Sequence, residues 1–168
     1  IVWFASCWDE QSVDFIASFN THCYKIASAL LKNINLLKYL RSKRKPFILS
    51  TGMSSIDLID RAVDILGKED LIILHTTSTY PAAYEELNLR VISTFRNRYN
   101  VPIGYSGHET GIASSVAAVV LGACMVERHI TLERSMWVSD QAASLGPNGI
   151  IRLVRDIRLV ETSLGDGV

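Results

Sequence analysis

The sequence lacks the features that mark membrane proteins and nucleic-acid-binding proteins. No apolar run reaches the roughly 18 to 20 residues that a membrane-spanning helix needs, so no membrane association is expected. Neither charge is in excess, because 17 basic residues face 17 acidic ones, and this balance gives no indication of a nucleic-acid partner. The mean hydropathy of +0.19 is that of an ordinary globular composition.

Cysteines are also few, and they form no recognisable pattern. Cys7, Cys23 and Cys124 make no CxxC motif and cannot all pair with one another. The first residues contain no basic segment of the kind that opens a secretory signal. Both observations predict a reducing, cytoplasmic location. The chain starts without methionine on a strand-like run, and we therefore expect it to be a fragment.

Apolar, strand-like runs alternate with amphipathic helical segments along the whole chain. The pattern predicts strands at residues 1–6, 23–28, 47–50, 71–75, 102–106 and 124–129. It predicts helices at residues 9–19, 36–40, 56–66, 88–98, 110–121 and 148–164. Continuously apolar strands that alternate with amphipathic helices indicate an α/β protein, with a parallel sheet that helices cover on its outer face.

About six βα units fit either an open doubly wound sheet or most of a TIM (β/α)8-type barrel. Polar side chains stand at or just past the C-terminal end of each predicted strand. In a barrel those ends surround one centre, where active sites form, whereas an open sheet spreads them along a line. The pattern therefore favours the barrel. Because a complete barrel takes about 250 residues, we expect an N-terminally truncated portion.

Two histidines, His108 and His129, end consecutive predicted strands. If these strands are parallel neighbours, both imidazoles point into one space, beside Ser106, Glu109 and Glu127. Such a set can hold a divalent metal ion. A single histidine at a strand end more often bonds to the backbone, but two at equivalent positions favour a shared ligand site. Glu127 could orient an imidazole or be a structural carboxylate.

Short hydroxyl side chains and one lysine stand at the other strand ends. Ser6, Ser28, Ser50 and Ser106, together with Lys25, form a cradle suited to a phosphate group. Turn chemistry could explain any one of these serines, but four at equivalent positions favour an anion site. The lysine could instead form a Schiff base with a carbonyl substrate, and borohydride would then trap a covalent adduct.

Several motifs resemble those of the N-acetylneuraminate (sialic acid) synthase family. They are KIAS (25–28), LSTGM (49–53), HTTSTYP (75–81), GYSGHETG (104–111), ERHITL (127–132) and SDQAASLGP (139–147). The motifs stand in the family's order, and the resemblance covers essentially the whole chain. It implies a (β/α)8 barrel followed by a small antifreeze-like domain in a domain-swapped homodimer.

The resemblance also implies a reaction and a set of site residues. The family condenses phosphoenolpyruvate with N-acetylmannosamine or its 6-phosphate and releases phosphate, and relatives make legionaminic or pseudaminic acid. By motif match, the catalytic residues are Lys25, His108 and His129, and the two histidines bind Mn²⁺ or Mg²⁺. Lys25 and the serines Ser6, Ser28, Ser50 and Ser106 then contact phosphoenolpyruvate. The sugar is expected to lie against Ser78, Tyr80 and Asp140.

Some residues depart from the family pattern. Gln141 and Gly146 stand where histidine and glutamate are usual, and Cys7-Trp8 is an uncommon pair. These departures concern the identity of the sugar more than the reaction. The resemblance further implies that the first two βα units and the antifreeze-like domain, which carry site residues, lie outside residues 1–168. We therefore expect the isolated chain to turn over poorly or not at all.

Two other interpretations remain open at this point. One is another barrel aldolase or a related sugar-acid synthase that uses phosphoenolpyruvate. The other is a non-catalytic fragment that binds phosphate or oligomerises, because an incomplete barrel leaves strand edges and apolar helix faces exposed. Activity that appears only in a longer form of the protein would identify the chain as part of an enzyme.

Overall fold

A computed structural model describes residues 1–167. Within them, five parallel strands form one sheet in sequential order: β1 (Tyr24–Ile26), β2 (Phe47–Ser50), β3 (Leu71–Thr76), β4 (Ile103–Gly107) and β5 (Val126–Arg128). The α-helices are α1 (Glu10–Ala17), α2 (Ile34–Ser42), α3 (Ile56–Leu66), α4 (Val91–Tyr99), α5 (Ala113–Val120) and α6 (Pro147–Leu164). The predicted α/β class and parallel sheet are confirmed.

The two faces of the sheet have different chemical character. Successive side chains along a strand point to opposite faces. In β3, Leu71 and Ile73 belong to the apolar core beneath the helices, whereas Thr76 lines a cavity on the other face. The same alternation places Tyr24 of β1 in the core and Lys25 on the cavity side. The apolar residues therefore hold the helices in place and leave the inner face to polar groups.

The sheet is strongly curled. Strands β1 and β5 stand four positions apart, which in a flat sheet would separate them by about 19 Å. Nevertheless, Lys25 Nζ of β1 lies 3.6 Å from Glu127 Oε1 of β5. Since these side chains together are too short to cross that gap, the inner faces of the first and last strands must turn toward each other. The five strands form a curled half-barrel.

The predicted strand at residues 1–6 is not observed, so the structure has five strands where six were expected. Only Ser6 pairs with a neighbour, through an isolated parallel bridge to Lys25, and the Lys25 N–H donates to Ala5 O at 3.2 Å. Residues 1–4 are exposed. No other strand within residues 1–167 lies along their outer side, and an extended segment with so little pairing and burial does not form a ladder.

The helices begin and end within about three residues of their predicted limits. Asp9 caps α1 as expected, because its Oδ1 accepts the Ser12 N–H at 2.6 Å. Helix α5 starts at Ala113 rather than at Thr110, because the chain first passes through a turn in which Gly111 has φ +76°. No helix within the described residues has both the length and the apolar character of a membrane-spanning segment.

Gly104 on the inner face of β4 leads to a stability prediction. A Cβ atom there would lie 2.5 Å from Leu74 Cδ2 and 2.8 Å from Met125 O. We expect Gly104→Ala to lower the free energy of unfolding by about 1–3 kcal/mol through overpacking, measured by denaturant titration. Gly146→Ala is the control, since a Cβ there meets no atom within 4 Å. Equal effects of the two substitutions would contradict the prediction.

Candidate active site

A cavity of about 510 Å³ lies at the C-terminal ends of the strands. It is lined by the ten residues predicted to bind substrate or metal or to act in catalysis: Ser6, Lys25, Ser28, Ser50, Ser78, Tyr80, Ser106, His108, His129 and Asp140. Trp8, Met53, Thr76 and Glu127 also contribute to the wall, as does the backbone of Arg128, whose side chain is only 1% exposed. The curl of the sheet brings these residues together, and their chemical roles remain predictions.

The two histidines lie side by side on this wall. Their ring centroids are 5.2 Å apart, and the rings are inclined by 59°. His108 Nδ1 is 2.6 Å from Thr77 O. Because a carbonyl oxygen can only accept, Nδ1 carries the proton and Nε2 keeps its lone pair. Burial lowers the pKa of His108, an effect that the bond to Thr77 partly offsets, and favours the neutral ring.

Tyr80 packs against both imidazoles. Its ring centroid is 4.1 Å from that of His108 at an inclination of 33°, and 5.5 Å from that of His129 at 89°. Asp140 Oδ2 lies 3.7 Å from His129 Nδ1. Burial raises the pKa of the Tyr80 phenol, and the nearby charges of Asp140 and Glu127 raise it further. An aromatic wall and a carboxylate therefore flank the two imidazoles.

The two imidazoles fit part of the ligand set of a divalent metal ion. The lone pair of His108 Nε2 has a fixed orientation, because Nδ1 of the same ring donates to Thr77 O. This is the usual arrangement for a ligating histidine. Within residues 1–167 no group of three or more His, Cys, Asp or Glu side chains is arranged to hold an ion. The two imidazoles are therefore a partial ligand set for such an ion, which also accepts oxygen ligands.

Lys25 forms the cationic part of the cavity. Its Nζ donates to Ser50 Oγ at 2.7 Å and lies 3.6 Å from Glu127 Oε1. Ser106 Oγ donates to the same carboxylate oxygen at 2.8 Å. Burial lowers the pKa of Lys25, and the Glu127 carboxylate opposes that shift. The ammonium group is thus held at a defined place, with a carboxylate on one side and a hydroxyl on the other.

Three serine hydroxyls near Lys25 have free hydrogen-bonding capacity. Ser28 Oγ accepts the Gly52 N–H at 2.9 Å, so its own proton is available to the cavity. Ser50 Oγ likewise accepts from Lys25 and keeps its proton. Ser6 Oγ is buried and has no hydrogen-bond partner among the described residues. Donors that converge around a cation suit a phosphate or carboxylate group.

Two charged residues beside the histidines were not assigned correctly from the sequence. Glu109 was expected next to the imidazoles, but its side chain is fully buried on the outer face of the sheet. There it pairs with Arg128, which the sequence reasoning missed. Because successive side chains of a strand point to opposite faces, the sequence could have indicated that Arg128 points away from Glu127 and His129. It could not have indicated which groups Arg128 binds.

Comparisons with known proteins identify relatives of this chain. N-acetylneuraminate-9-phosphate synthase of Homo sapiens is 44% identical over 164 residues, which cover 96% of this chain and 46% of that protein. N,N'-diacetyllegionaminic acid synthase of Legionella pneumophila is 38% identical over 167 residues, which cover 95% and 47% of the two chains. The chain thus spans about half the length of the curated relatives it matches.

Solved structures match all or nearly all of the chain. The N-acetylneuraminic acid (sialic acid) synthetase of Leptospira borgpetersenii gives a TM-score of 0.95 at 34% identity, over 100% of this chain and 60% of that one. A truncated 3-deoxy-D-arabino-heptulosonate 7-phosphate synthase of Thermotoga maritima gives 0.82 at 21% identity, over 96% and 66%, and shares the fold alone. A sequence model of the NeuB family matches residues 1–168, and the chain belongs to that family.

Proposed function

We propose that residues 1–168 are part of the (β/α)8 catalytic barrel of a synthase that condenses phosphoenolpyruvate with N-acetylmannosamine or its 6-phosphate. The enol carbon bonds to the aldehyde carbon of the open-chain sugar, water adds to the carbon that bears the phosphate, and the bond from that carbon to the phosphate oxygen breaks. One observation carries the proposal: a single cavity places a lysine and serine cluster beside two imidazoles.

The lysine end of the cavity is proposed to bind phosphoenolpyruvate. Lys25 supplies a positive charge, and Ser6 and Ser28 supply hydroxyl donors that the protein leaves free. Ser50 and Ser106 hold the charged pair of Lys25 and Glu127 in place. These groups act through position and electrostatics rather than through a covalent bond.

The histidine end is proposed to bind the sugar and a divalent ion, Mn²⁺ or Mg²⁺. When bound, such an ion acts as a Lewis acid on the aldehyde oxygen. His108 offers a neutral Nε2 in a fixed orientation, because its Nδ1 donates to Thr77 O. His129 offers a second ring nitrogen, while Tyr80 and Ser78 provide a wall and a hydroxyl for the sugar. Asp140 adds a carboxylate acceptor for sugar hydroxyls.

The test is phosphate release from phosphoenolpyruvate in the full-length protein that contains these residues. Release is measured with N-acetylmannosamine and with its 6-phosphate, in each case with Mn²⁺ and without metal. We expect release that depends on both the sugar and the ion. Release with a different N-acylated hexose only would keep the chemistry and change the sugar, as the legionaminic acid synthase relative illustrates. No release with any hexose would contradict the proposal.

Gly52 gives a prediction about the sugar end. A Cβ at this position would lie 1.9 Å from Ser78 Oγ, so Gly52→Ala must displace that hydroxyl. We expect the KM for the sugar to rise about 3- to 10-fold, the effect of losing one neutral hydrogen bond. Ser78→Ala should have a similar effect, and the double variant should cost little more than either single one. Fully additive effects would show that Gly52 does not act through Ser78.

We also propose the assembly and location that the sequence suggested. The full-length protein is proposed to be a homodimer, with no nucleic-acid or membrane partner. Cys7, Cys23 and Cys124 are all free thiols, which supports a reducing compartment such as the cytoplasm. Size-exclusion chromatography with light scattering checks the dimer directly, and a monomer at micromolar concentration would contradict it.

A further inference from the structure

A buried ion pair stands directly behind the two imidazoles. Glu109 follows His108 in the chain, and Arg128 precedes His129. Arg128 Nη1 lies 3.1 Å from Glu109 Oε1, and the two side chains are 1% and 0% exposed. Because neighbouring residues on a strand point to opposite faces, the pair occupies the outer face of the sheet while the histidines occupy the inner face.

The glutamate is held from more than one side. Tyr105 Oη donates to Glu109 Oε2 at 2.8 Å, and Ser115 Oγ of α5 donates to Oε1 at 3.3 Å. Tyr105 belongs to β4, the strand that leads to His108. The carboxylate therefore links the end of β4 to the first turn of α5 through two hydrogen bonds.

The arginine binds backbone as well as the carboxylate. Its Nη2 donates to Glu109 O at 2.5 Å, and its Nη1 donates to Gly111 O at 2.8 Å. A longer contact of 3.4 Å joins Nη2 to Ala143 O, in the segment that carries Asp140. One guanidinium group thus links β5, the loop after β4 and the segment that carries Asp140. Lysine could not reproduce this set of contacts, since it lacks the planar fork.

We propose that Glu109 and Arg128 are a positioning pair that sets the spacing of His108 and His129. A buried pair of this kind contributes little net stability compared with apolar residues of the same size, so its contacts with three segments of the site point to control of geometry. The functional consequence rests on the proposed metal site, because it concerns how well the two imidazoles share one ion. Mutation of a residue that supports a metal ligand from behind typically weakens metal affinity 10- to 100-fold.

The test is Mn²⁺ affinity of the full-length protein, measured by electron paramagnetic resonance of the free ion. Arg128→Lys keeps the charge but loses the fork, and we expect at least about tenfold weaker binding. Leu66→Ala is the matched control, because Leu66 is a fully buried residue at the end of α3 and does not line the cavity. It should lower the melting temperature without changing Mn²⁺ affinity. Unchanged affinity in Arg128→Lys, or an equal loss in Leu66→Ala, would overturn the proposal.

A second measurement needs no metal and separates this proposal from the proposed function. Nitrogen-15 chemical shifts of His108 report whether Nδ1 holds the proton in the metal-free protein. We expect the single Nδ1–H form of the wild type to become mixed in Arg128→Lys, whereas the control Leu66→Ala should keep the wild-type form. If the wild type binds no Mn²⁺, the metal site fails and these shifts alone decide. Identical His108 shifts in both proteins would then refute positioning by the pair.

Discussion

Alanine at position 108 or 129 is expected to reduce kcat/KM for phosphate release at least about 10³-fold, which corresponds to about 4 kcal/mol. A large loss is expected because, in the proposed mechanism, a Lewis acid at the aldehyde contributes several kcal/mol to the stabilisation of the transition state, and one imidazole alone would hold a divalent ion weakly. The two ring centroids are only 5.2 Å apart, which is close enough for both side chains to bind one ion as proposed.

The measurement is steady-state phosphate release by the full-length protein over a range of Mn²⁺ concentrations. His22→Ala is the control, because His22 is exposed and does not line the cavity. It should retain wild-type activity. If either His108→Ala or His129→Ala kept more than a tenth of the activity at saturating metal, the two imidazoles would not form a shared ligand pair.

Methionine at position 25 is expected to reduce kcat/KM for phosphoenolpyruvate about 10²-fold. The substitution keeps the length of the side chain but removes the charge, and hydrogen bonds to charged groups contribute about 1.5–3 kcal/mol each. It also removes the cation that lies 3.6 Å from Glu127 Oε1. The unpaired carboxylate would then repel the phosphate group that is proposed to bind there. Most of the effect should appear as a higher KM for phosphoenolpyruvate, with the KM for the sugar nearly unchanged.

Lys38→Met provides the matched control, since Lys38 is exposed on α2 and undergoes the same chemical change. It should behave as the wild type. An unchanged KM for phosphoenolpyruvate in Lys25→Met would remove the lysine from the anion site. A covalent adduct at Lys25 after borohydride treatment with substrate would instead indicate Schiff-base chemistry.

Much of the candidate site could be predicted because it follows from local rules. In parallel strands, the C-terminal ends lie at one edge of the sheet, so a polar residue that ends an apolar run is placed there without knowledge of packing. Ser50 at the end of β2 and His129 immediately after β5 reach the cavity for this reason. Lys25 and Ser106 lie inside their strands, and the alternation of side chains places them on the inner face. The residues of the cavity wall were therefore accessible from chain order and side-chain period.

The structure of residues 1–6 could not be predicted from local sequence patterns. Their apolar run reads as a strand, yet only Ser6 makes a bridge. Strand formation depends on neighbours more than on intrinsic preference, and whether a neighbour is present is a property of the assembled sheet. The same holds for Glu109, whose position next to His108 in the chain says nothing about the tyrosine and arginine that it binds on the opposite face.

The sequence by itself determined the α/β class, the family and the side chains that reach the strand ends, because these depend on periodicity and on the order of motifs. Only the tertiary structure decided distances and protonation. The curl of the sheet brings Lys25 to Glu127 across the cavity, and the bond to Thr77 selects which nitrogen of His108 carries the proton. Both result from groups far apart in the chain, whose approach is set by packing of the whole sheet against its helices.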